Sequence, residues 1–305
     1  MAAPAPTLVF DTGFVPETGR LVEVAAGVAR VTAPNAGPYT FTGTNTFLLG
    51  TERLAVVDPG PDDDAHLRAL LAAIGERPVE AILLTHTHKD HSGLARRLKA
   101  ATGAPVWFEG RHRLSRKARL FELNGVAGSS DFRLVPDRVL ADGERVEVAG
   151  MVLEVVATPG HCRNHLAFGI AGTDLLLSGD HVMGWNSTLV SVPDGSMADY
   201  LGSLRKAIGL PYRRYLPAHG GPIADGADYA AALLAHREAR NAQVVAAVEA
   251  GAQRLGELRR VIYPGLSPQL VPAALMVLKA HVEFLEGISA IRVQRGVLGM
   301  RLGIM

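Results

Sequence analysis

An apolar segment, Ala81-Ile82-Leu83-Leu84, runs directly into the polar sequence Thr85-His86-Thr87-His88-Lys89-Asp90-His91. An apolar run that ends in this way indicates a buried strand followed by a turn. Imidazole and carboxylate groups are the ligands that hold Zn²⁺ and similar divalent ions. His86 and His88 are two residues apart on extended chain, so their side chains can lie on one side of it. Asp90 and His91 follow as the chain turns into a helix, and we expect them to point back across the same space.

Three further candidate ligands stand at short turns, each at the end of an apolar segment. They are His161 in Thr158-Pro159-Gly160-His161, Asp180 in Ser178-Gly179-Asp180-His181 and His219 in Pro217-Ala218-His219-Gly220. A carboxylate can offer one oxygen to each of two ions, so we expect Asp180 to bridge them. His161 and His219 would complete the two coordination sets. The full group predicts a two-metal hydrolytic site rather than a structural one: His86, His88, Asp90, His91, His161, Asp180 and His219.

The expected cofactors are two divalent metal ions, with Zn²⁺ as the first choice. Iron and manganese stay open, because this ligand set accepts several ions. Two metals about 3.5–4 Å apart ionise a shared water near neutral pH and stabilise the charge that develops on a phosphorus or carbonyl centre. Asp90 is also expected to orient this water. His165, four residues after His161, is expected to face the site as a proton donor or substrate contact, whereas His181 should point away.

The composition is that of an ordinary globular chain. Of 305 residues, 48% are hydrophobic and 20% are charged, and 31 Lys and Arg balance 30 Asp and Glu. This balance excludes a global attraction to nucleic acid, which would need a local basic patch. The single cysteine, Cys162, excludes a disulfide framework and fits a reducing compartment. Residues 1–6 lack the features of a signal peptide and no run of about 18 apolar residues occurs, so a cytoplasmic location is expected.

Hydrophobic periodicity divides the chain into two predicted domains, 1–227 and 228–305. The first is expected to alternate strands and helices, including a hairpin of 46–49 and 54–57 and helices over 64–74, 92–101 and 197–208. A polar and basic segment, 111–138, interrupts this pattern close to the site. The second domain is expected to contain helices over 228–249, 255–262 and 268–286, and a hairpin of 290–293 and 298–302. That order is typical of a winged-helix-like unit.

The sequence 85–91, with Gly160-His161, Gly179-Asp180 and His219-Gly220, resembles the metallo-β-lactamase superfamily. The resemblance implies an α/β fold, a four-layer αββα sandwich with the site at one edge of its two sheets. It also implies how the ligands divide between the ions. His86, His88 and His161 would bind one ion, Asp90, His91 and His219 would bind the other, and Asp180 would bridge them.

A narrower resemblance is to the β-lactamase-like protein 2 branch, which carries a C-terminal winged-helix-like domain. It rests on residues 37–47, 158–165, 217–222 and 236–238. Eukaryotic members of that branch resemble single-strand-selective endoribonucleases. The resemblance argues against β-lactamase activity, because the secreted zinc β-lactamases carry a signal peptide and usually lack an aspartate at the position of Asp180.

The leading hypothesis is a zinc-dependent phosphodiesterase that acts on RNA or another nucleotide through a metal-bridging hydroxide. Residues 236–305 carry nine Lys and Arg against five Glu, and together with the basic segment 111–119 they could engage a phosphate backbone. Solvated helix faces would explain these charges equally well. We therefore expect a small-molecule or single-stranded nucleic-acid substrate and no membrane partner, and the helices of 228–286 could also form a homodimer.

Two alternatives stay open at this point. Thr158-Pro159-Gly160-His161 with His165 also resembles glyoxalase II, which implies a thioesterase of the hydroxyacylglutathione hydrolase type. The other alternative is a non-catalytic regulator whose winged helix binds DNA and whose metal domain is a sensor. A complete set of seven ligands argues against the regulator, because a sensor does not need an open catalytic site.

Overall fold

Two mixed β-sheets form the centre of the molecule. The computed structural model describes residues 8–120, 122–296 and 299–305. The first sheet has seven strands, hydrogen-bonded in chain order: β1 (Leu21–Ala25), β2 (Val28–Thr32), β3 (Asn45–Leu49), β4 (Leu54–Val57), β5 (Val79–Leu83), β6 (Val106–Phe108) and β7 (Arg138–Val139). The second sheet has five strands in the order β12-β11-β10-β9-β8: β8 (Arg145–Val148), β9 (Met151–Ala157), β10 (Leu166–Ile170), β11 (Leu175–Gly179) and β12 (Arg214–Pro217).

The described residues also form seven α-helices: α1 (Asp64–Ile74), α2 (Lys89–Ser92), α3 (Ala95–Thr102), α4 (Met197–Ile208), α5 (Gly226–Glu249), α6 (Leu255–Ile262) and α7 (Val271–Gly287). The helices predicted over 64–74 and 197–208 have these bounds. Asp63 caps α1, because its carboxylate accepts a hydrogen bond from the amide of His66 (2.7 Å). The single helix expected over 92–101 is instead two helices. The amide of Leu94 donates to the carbonyl of Gly60 (3.0 Å) and so leaves the helical ladder.

The two sheets pack face to face, and helices cover both outer faces. Phe47 and Leu83 of the first sheet share a buried cluster with Leu153 and Phe168 of the second. Helices α1 and α3 pack on the outside of the first sheet, and α4 and α5 pack on the outside of the second. The layers therefore follow the order helix, sheet, sheet, helix, which matches the four-layer arrangement expected from the sequence. Full burial of each large apolar side chain contributes about 1.5–3 kcal/mol to folding.

The C-terminal helices pack both on the sandwich and on one another. Near its start, α5 contributes Leu233 to the cluster beneath the second sheet. Near its end, it contributes Val244 to a separate cluster with α6, α7 and a terminal hairpin. The hairpin pairs β13 (Ile291–Gly296) with β14 (Gly299–Ile304). The residues 1–6 and Leu298, on which sequence expectations also fall, lie outside the described residues, and the domain boundary at 227/228 stays a prediction.

The carboxyl ends of the central strands meet at one edge of the sandwich. There β4 lies parallel to β5, and β11 lies parallel to β12. The amide of Leu166 in the second sheet donates to the carbonyl of Thr85 beyond β5 (2.7 Å). The side-chain amide of Asn45 in β3 donates to the carbonyls of Pro217 and Gly220 beside β12 (3.0 and 2.9 Å). These contacts hold the two sheets together and bring the polar strand ends into one place.

Within the described ranges, no helix is both long enough and apolar enough to cross a membrane.

Candidate metal centre

Three imidazoles converge at this edge to form a first set of donors. The Nδ1 atom of His88 lies 3.0 Å from Nε2 of His86 and 2.9 Å from Nε2 of His161. His86 and His88 follow β5, and His161 follows β9 after a tight turn. A single cation placed among the three nitrogens would contact all of them, as the sequence analysis expects.

A second set of donors lies beside the first. Oδ2 of Asp90 is 3.4 Å from Nε2 of His91 and 3.3 Å from Nε2 of His219. Asp180, at the end of β11, lies between the two sets. Its Oδ2 atom is 3.6 Å from Nε2 of both His91 and His161, and its Oδ1 atom is 3.3 Å from Nε2 of His219. The structure thus brings all seven predicted ligands together, with Asp180 between the two sets of donors.

Three donor atoms of this centre have no hydrogen-bond partner in the part of the chain that the structure describes. Nε2 of His91, Oδ1 of Asp180 and Nε2 of His219 are buried and accept or donate no hydrogen bond among the described residues. Such atoms cost free energy when they are buried alone. The donors of three overlapping groups also lie within 4.8 Å of one another: His86, His88 and His161; His86, His91 and Asp180; and Asp90, His91 and His219. The residues therefore fit two divalent ions, which the unpartnered atoms would coordinate.

A second layer of hydrogen bonds fixes the orientation of the imidazoles. The carboxylate of Asp58 accepts from Nδ1 of His91 (3.0 Å) and from the hydroxyl of Thr85 (2.6 Å). That hydroxyl in turn accepts from Nδ1 of His86 (3.0 Å). Nδ1 of His161 donates to the carbonyl of Leu189 (2.6 Å). Each of these hydrogen bonds engages the ring nitrogen that faces away from the centre, so that Nε2 is the nitrogen directed at the centre.

Asp194 supplies the corresponding partner for His88. This carboxylate is fully buried, and its Oδ2 atom lies 3.4 Å from Nε2 of His88. Its Oδ1 atom accepts from Nε2 of His112 (2.8 Å) and from the side-chain amide of Asn124 (3.1 Å). Burial opposes ionisation of Asp194, but hydrogen bonds from His112 and His88 outweigh it and hold the pKa of the carboxyl well below its usual range.

The electrostatics differ between the two sets. Burial, together with the adjacent His88, lowers the pKa of His161 to about 4, so this imidazole is neutral at pH 7 and ready to bind a cation. Burial also lowers the pKa of His219, but the carboxylates of Asp180 and Asp90 outweigh it and raise that pKa to about 9. Without a cation, His219 therefore carries a proton, and a divalent ion would take the place of that proton.

The structure does not support the catalytic role expected for His165. The ring is 1% exposed and does not belong to the wall of the cavity described below. Its Nδ1 atom donates to the hydroxyl of Thr158 (2.7 Å), and its Nε2 atom accepts from the amide of Asp180 (3.0 Å). Because both ring nitrogens are engaged in this way, His165 holds the backbone of Asp180 in place. His181 is buried and packs on Tyr200, with ring centroids 5.2 Å apart.

Two glycines allow this close packing. Gly160, with φ +140°, precedes His161, and a Cβ atom there would come within 2.4 Å of the backbone of Tyr200 in α4. Gly179, with φ +54°, precedes Asp180, and a Cβ atom there would lie 2.7 Å from Nε2 of His165. Both turns therefore need glycine, because a Cβ atom would clash with a neighbour and because the backbone has a positive φ that other residues rarely adopt.

A cavity of about 560 Å³ opens onto the centre. His88, Asp90, His161 and Asp180 form one part of its wall. Most of the remaining wall is apolar or aromatic, from loops of the sandwich and from the C-terminal helices: Pro38, Tyr39, Val126, Met183, Trp185, Leu189, Tyr263, Leu266, Leu270, Ala273, Ala274, Met276 and Val277. The centre can therefore receive a substrate with a sizeable apolar part.

Three residues that matter here have no role assigned from the sequence. Asp58 ends the apolar strand β4 in the way that Asp180 ends β11, and this signal could have identified it. The local sequence does not reveal the contacts of Asp194 and Arg237, because their partners lie far along the chain. Nε2 of His112 is 82 residues from Asp194, and the carbonyl of Thr188 is 49 residues from Arg237.

Comparisons with known proteins agree with this geometry. A model of the Metallo-beta-lactamase superfamily matches residues 39–219. The Atrochrysone carboxyl ACP thioesterase of Aspergillus fumigatus is 30% identical to this chain, over 77% of this chain and 69% of its own length. The Beta-lactamase-like protein 2 homolog of Caenorhabditis elegans is 29% identical, over 73% of this chain and 71% of its own length. The resemblance to that branch is thereby confirmed.

The fold itself has a counterpart among solved structures. A metallo-beta-lactamase family protein from Thermus thermophilus superposes with a TM-score of 0.75 and 28% identity, covering 93% of this chain and 100% of the other. The coverage includes most of the C-terminal helices as well as the sandwich.

Proposed function

The chain belongs to the metallo-beta-lactamase superfamily and is a metal-dependent hydrolase, and on this premise we propose that it is a thioesterase for a substrate with a large apolar acyl group. The observation that carries the proposal is the apolar cavity at the metal centre. The related protein that is named a carboxyl ACP thioesterase supports the same class of reaction.

The wall of the cavity suits an acyl group better than a nucleotide. Ala273, Ala274, Met276 and Val277 of α7 face the same space as the metal ligands. Each methylene group that leaves water against such a wall gains about 0.8 kcal/mol. A phosphate backbone would instead lose hydration there without gaining hydrogen bonds from these side chains.

Part of the positive charge of the basic segment 111–119, which we expected could engage a phosphate backbone, is held in ion pairs. The guanidinium of Arg116 pairs with Glu122 and with Glu283 of α7, both at 2.6 Å. Arg119 also pairs with Glu283, at 2.8 Å, and Lys279 pairs with Glu122 at 2.7 Å. These ion pairs attach the segment to α7 and engage Arg116 and Arg119, two of its five cations, with carboxylates. We therefore prefer thioester hydrolysis to the phosphodiesterase that composition and motif favoured.

The reaction follows from the arrangement of the side chains. Two divalent ions, when bound, would acidify a water molecule and polarise the thioester carbonyl. The water oxygen adds to the carbonyl carbon, the carbon–sulfur bond breaks, and the products are a thiol and a carboxylate. Asp90 lies in the cavity wall and is placed to hold and orient the water. His165 and Asp58 hold Asp180 and His91 in position, as their hydrogen bonds indicate.

Two finer assignments belong to the same proposal. We assign zinc to both positions, because neutral imidazoles with a few carboxylates are a typical ligand set for it. We also propose that α5, α6, α7 and the terminal hairpin form the winged-helix-like unit that the sequence predicts over residues 228–305. Its role would be to close the substrate cavity, because α7 and the segment before it line that cavity.

The test is a comparison of substrate classes on the zinc-loaded protein. N-acetylcysteamine thioesters of acetate, hexanoate and decanoate would be compared with S-lactoylglutathione, bis-p-nitrophenyl phosphate and a single-stranded RNA. We expect thioester turnover whose kcat/KM rises with acyl length, and about two metals per chain. Cleavage of the phosphodiester or of the RNA without thioester turnover would overturn the proposal in favour of a phosphodiesterase.

A further inference from the structure

Arg237 of α5 lies in the wall of the cavity and is only 2% exposed. One terminal nitrogen donates to the carbonyl of Thr188, and the guanidinium carbon lies 5.3 Å from the ring centroid of Tyr200. The Nε atom of Arg237 has no hydrogen-bond partner among the described residues. The adjacent carboxylate, Glu238, pairs instead with Arg205 at 2.7 Å.

A buried guanidinium without a carboxylate is costly. Arginine keeps its charge at all ordinary pH values. Removing that charge from water costs several kcal/mol unless an anion and further hydrogen bonds compensate. No described Asp or Glu forms an ion pair with Arg237, and a carbonyl and an aromatic face only partly replace one. The cavity is the direction from which an anion can reach it.

Arg237 is also distinctive within the cavity. Of the described residues that line the cavity, it alone carries a permanent positive charge. Most of its neighbours in the wall beyond the metal ligands are apolar or uncharged. An anionic group on a substrate would therefore find one side chain there that attracts it, in surroundings that strengthen the attraction by excluding water.

We propose that Arg237 is an anion subsite, so that the substrate carries an oxyanion group in addition to the thioester that is cut. The inference rests on the proposed thioesterase function and narrows it to anionic acyl thioesters. The oxyanion is either a carboxylate on the acyl group or a phosphate on the thiol portion. Both form charge-assisted hydrogen bonds with a guanidinium.

A purely structural role for Arg237 makes a different prediction. The hydroxyl of Thr188 donates to the carbonyl of Asp180 (2.7 Å), and the next residue, Leu189, accepts from His161 (2.6 Å). Arg237 therefore also supports the segment that orients two metal ligands. Loss of that support would change metal content and would slow all substrates equally, whereas loss of an anion subsite changes the preference between a charged and a neutral substrate.

The experiment measures this preference with matched substrates. The N-acetylcysteamine monothioester of adipic acid carries a free carboxylate, and its methyl ester has the same chain without the charge. A second pair joins hexanoate either to pantetheine or to 4′-phosphopantetheine. Each would be assayed with the zinc-loaded wild type, Arg237→Gln and Arg237→Lys. Arg205→Gln is the matched control, because Arg205 is an exposed arginine that pairs with Glu238.

In the wild type and in Arg205→Gln, we expect kcat/KM to be about 10- to 100-fold higher for the charged member of one pair, as one hydrogen bond to a charged group implies. The pair that shows the preference identifies the source of the oxyanion. Arg237→Gln should remove the preference at unchanged metal content, and Arg237→Lys should restore part of it. The proposal is wrong if the wild type shows no preference in either pair, or if Arg237→Gln keeps the preference at any zinc content.

If neither pair is hydrolysed, the proposed thioesterase function is wrong. The anion subsite can then be tested separately, by measuring the affinity of the protein for a charged and a neutral ligand. Calorimetric titration of the zinc-loaded protein with monomethyl adipate and with dimethyl adipate would give a ratio of affinities in place of the ratio of kcat/KM values. Tighter binding of the charged ester by the wild type than by Arg237→Gln would support the subsite. Equal binding by the two proteins would overturn it.

Discussion

Replacement of Asp194 by asparagine tests how the protein orients the first set of metal donors. The carboxylate accepts hydrogen bonds from His112 and Asn124 on one oxygen, and its other oxygen faces Nε2 of His88 at 3.4 Å. In Asp194→Asn, the amide oxygen can keep the first two bonds, which directs the amide nitrogen at His88. Two donors then face each other, and the His88 ring loses the partner that keeps Nδ1 free for a cation.

The magnitude follows from the geometry. Removal of a partner of this kind costs 10- to 100-fold in metal affinity in other zinc proteins, or about 1.4–2.8 kcal/mol. The contact to His88 is longer than the 2.7–2.9 Å that is usual for a charge-assisted bond. We therefore expect the lower end, a loss of about tenfold in affinity for one of the two metals. The second set, Asp90, His91 and His219, has no contact with Asp194 and should keep its affinity.

The assay is competition between the metal-free protein and a chromophoric chelator, titrated with Zn²⁺ and fitted with two binding constants. Asp174→Asn is the matched control, because Asp174 is an exposed carboxylate that pairs with Arg214 (2.9 Å) away from the centre. Two unchanged constants in Asp194→Asn, with a normal thermal midpoint, would refute the reasoning. An equal loss at both sites would also refute it, since that result would indicate general damage to the fold.

Three further predictions concern the ligands, their protons and the cavity. His88→Ala should lose at least one metal per chain and all measurable hydrolysis, because its first donor set keeps only two imidazoles; metal analysis with parallel turnover checks this. In the metal-free protein, the pKa of His219 is raised to about 9, whereas the pKa of an unfolded histidine is about 6.5. Protonated His219 therefore contributes fully to the free energy of unfolding below about pH 6.5. This contribution is lost as the pH rises towards 9. Chemical unfolding of the metal-free protein should therefore show decreasing stability over that range, and Zn²⁺ binding at pH 7.5 should release at least one proton to an indicator dye. Ala274→Phe should fill part of the cavity and lower kcat/KM for decanoyl relative to acetyl thioester by about tenfold, the equivalent of two methylene groups at about 0.8 kcal/mol each. Ala242→Phe, at an exposed position of α5, is its control.

The convergence of the candidate ligands could be predicted from the sequence because each belongs to a short local pattern. His86, His88, Asp90 and His91 lie within six residues at the end of an apolar strand, and a strand end fixes where such side chains point. His161, Asp180 and His219 each end another apolar segment at a turn. The two-sheet sandwich then brings these strand ends to one edge, so a local pattern was sufficient to predict a common site.

The partners of the ligands could not be predicted in the same way. Asp194 contacts His88 across 106 residues of sequence, and Arg116 contacts Glu283 across 167. Composition records that arginines are present but not whether a glutamate neutralises them in the fold. His165 shows the same limit, because its spacing from His161 suggested a substrate contact, whereas the hydrogen bonds to Thr158 and Asp180 use both of its nitrogens.

The candidate metal ligands and much of the remaining cavity wall come from different parts of the chain, the sandwich and the C-terminal helices. This explains why the type of reaction was easier to predict than the substrate. The sandwich supplies the metal ligands and their hydrogen-bond partners, which would serve the hydrolysis of many bonds. Arg237 of α5 and Ala273 of α7 come from the C-terminal helices and line the cavity, and Arg237 also donates to the carbonyl of Thr188 in the sandwich. If the thioesterase proposal is correct, exchange of side chains on α5 and α7 should change substrate preference at constant metal content. A change in metal content from such exchanges would show that the helices build the centre itself, and the specificity would then have to come from the loops of the sandwich.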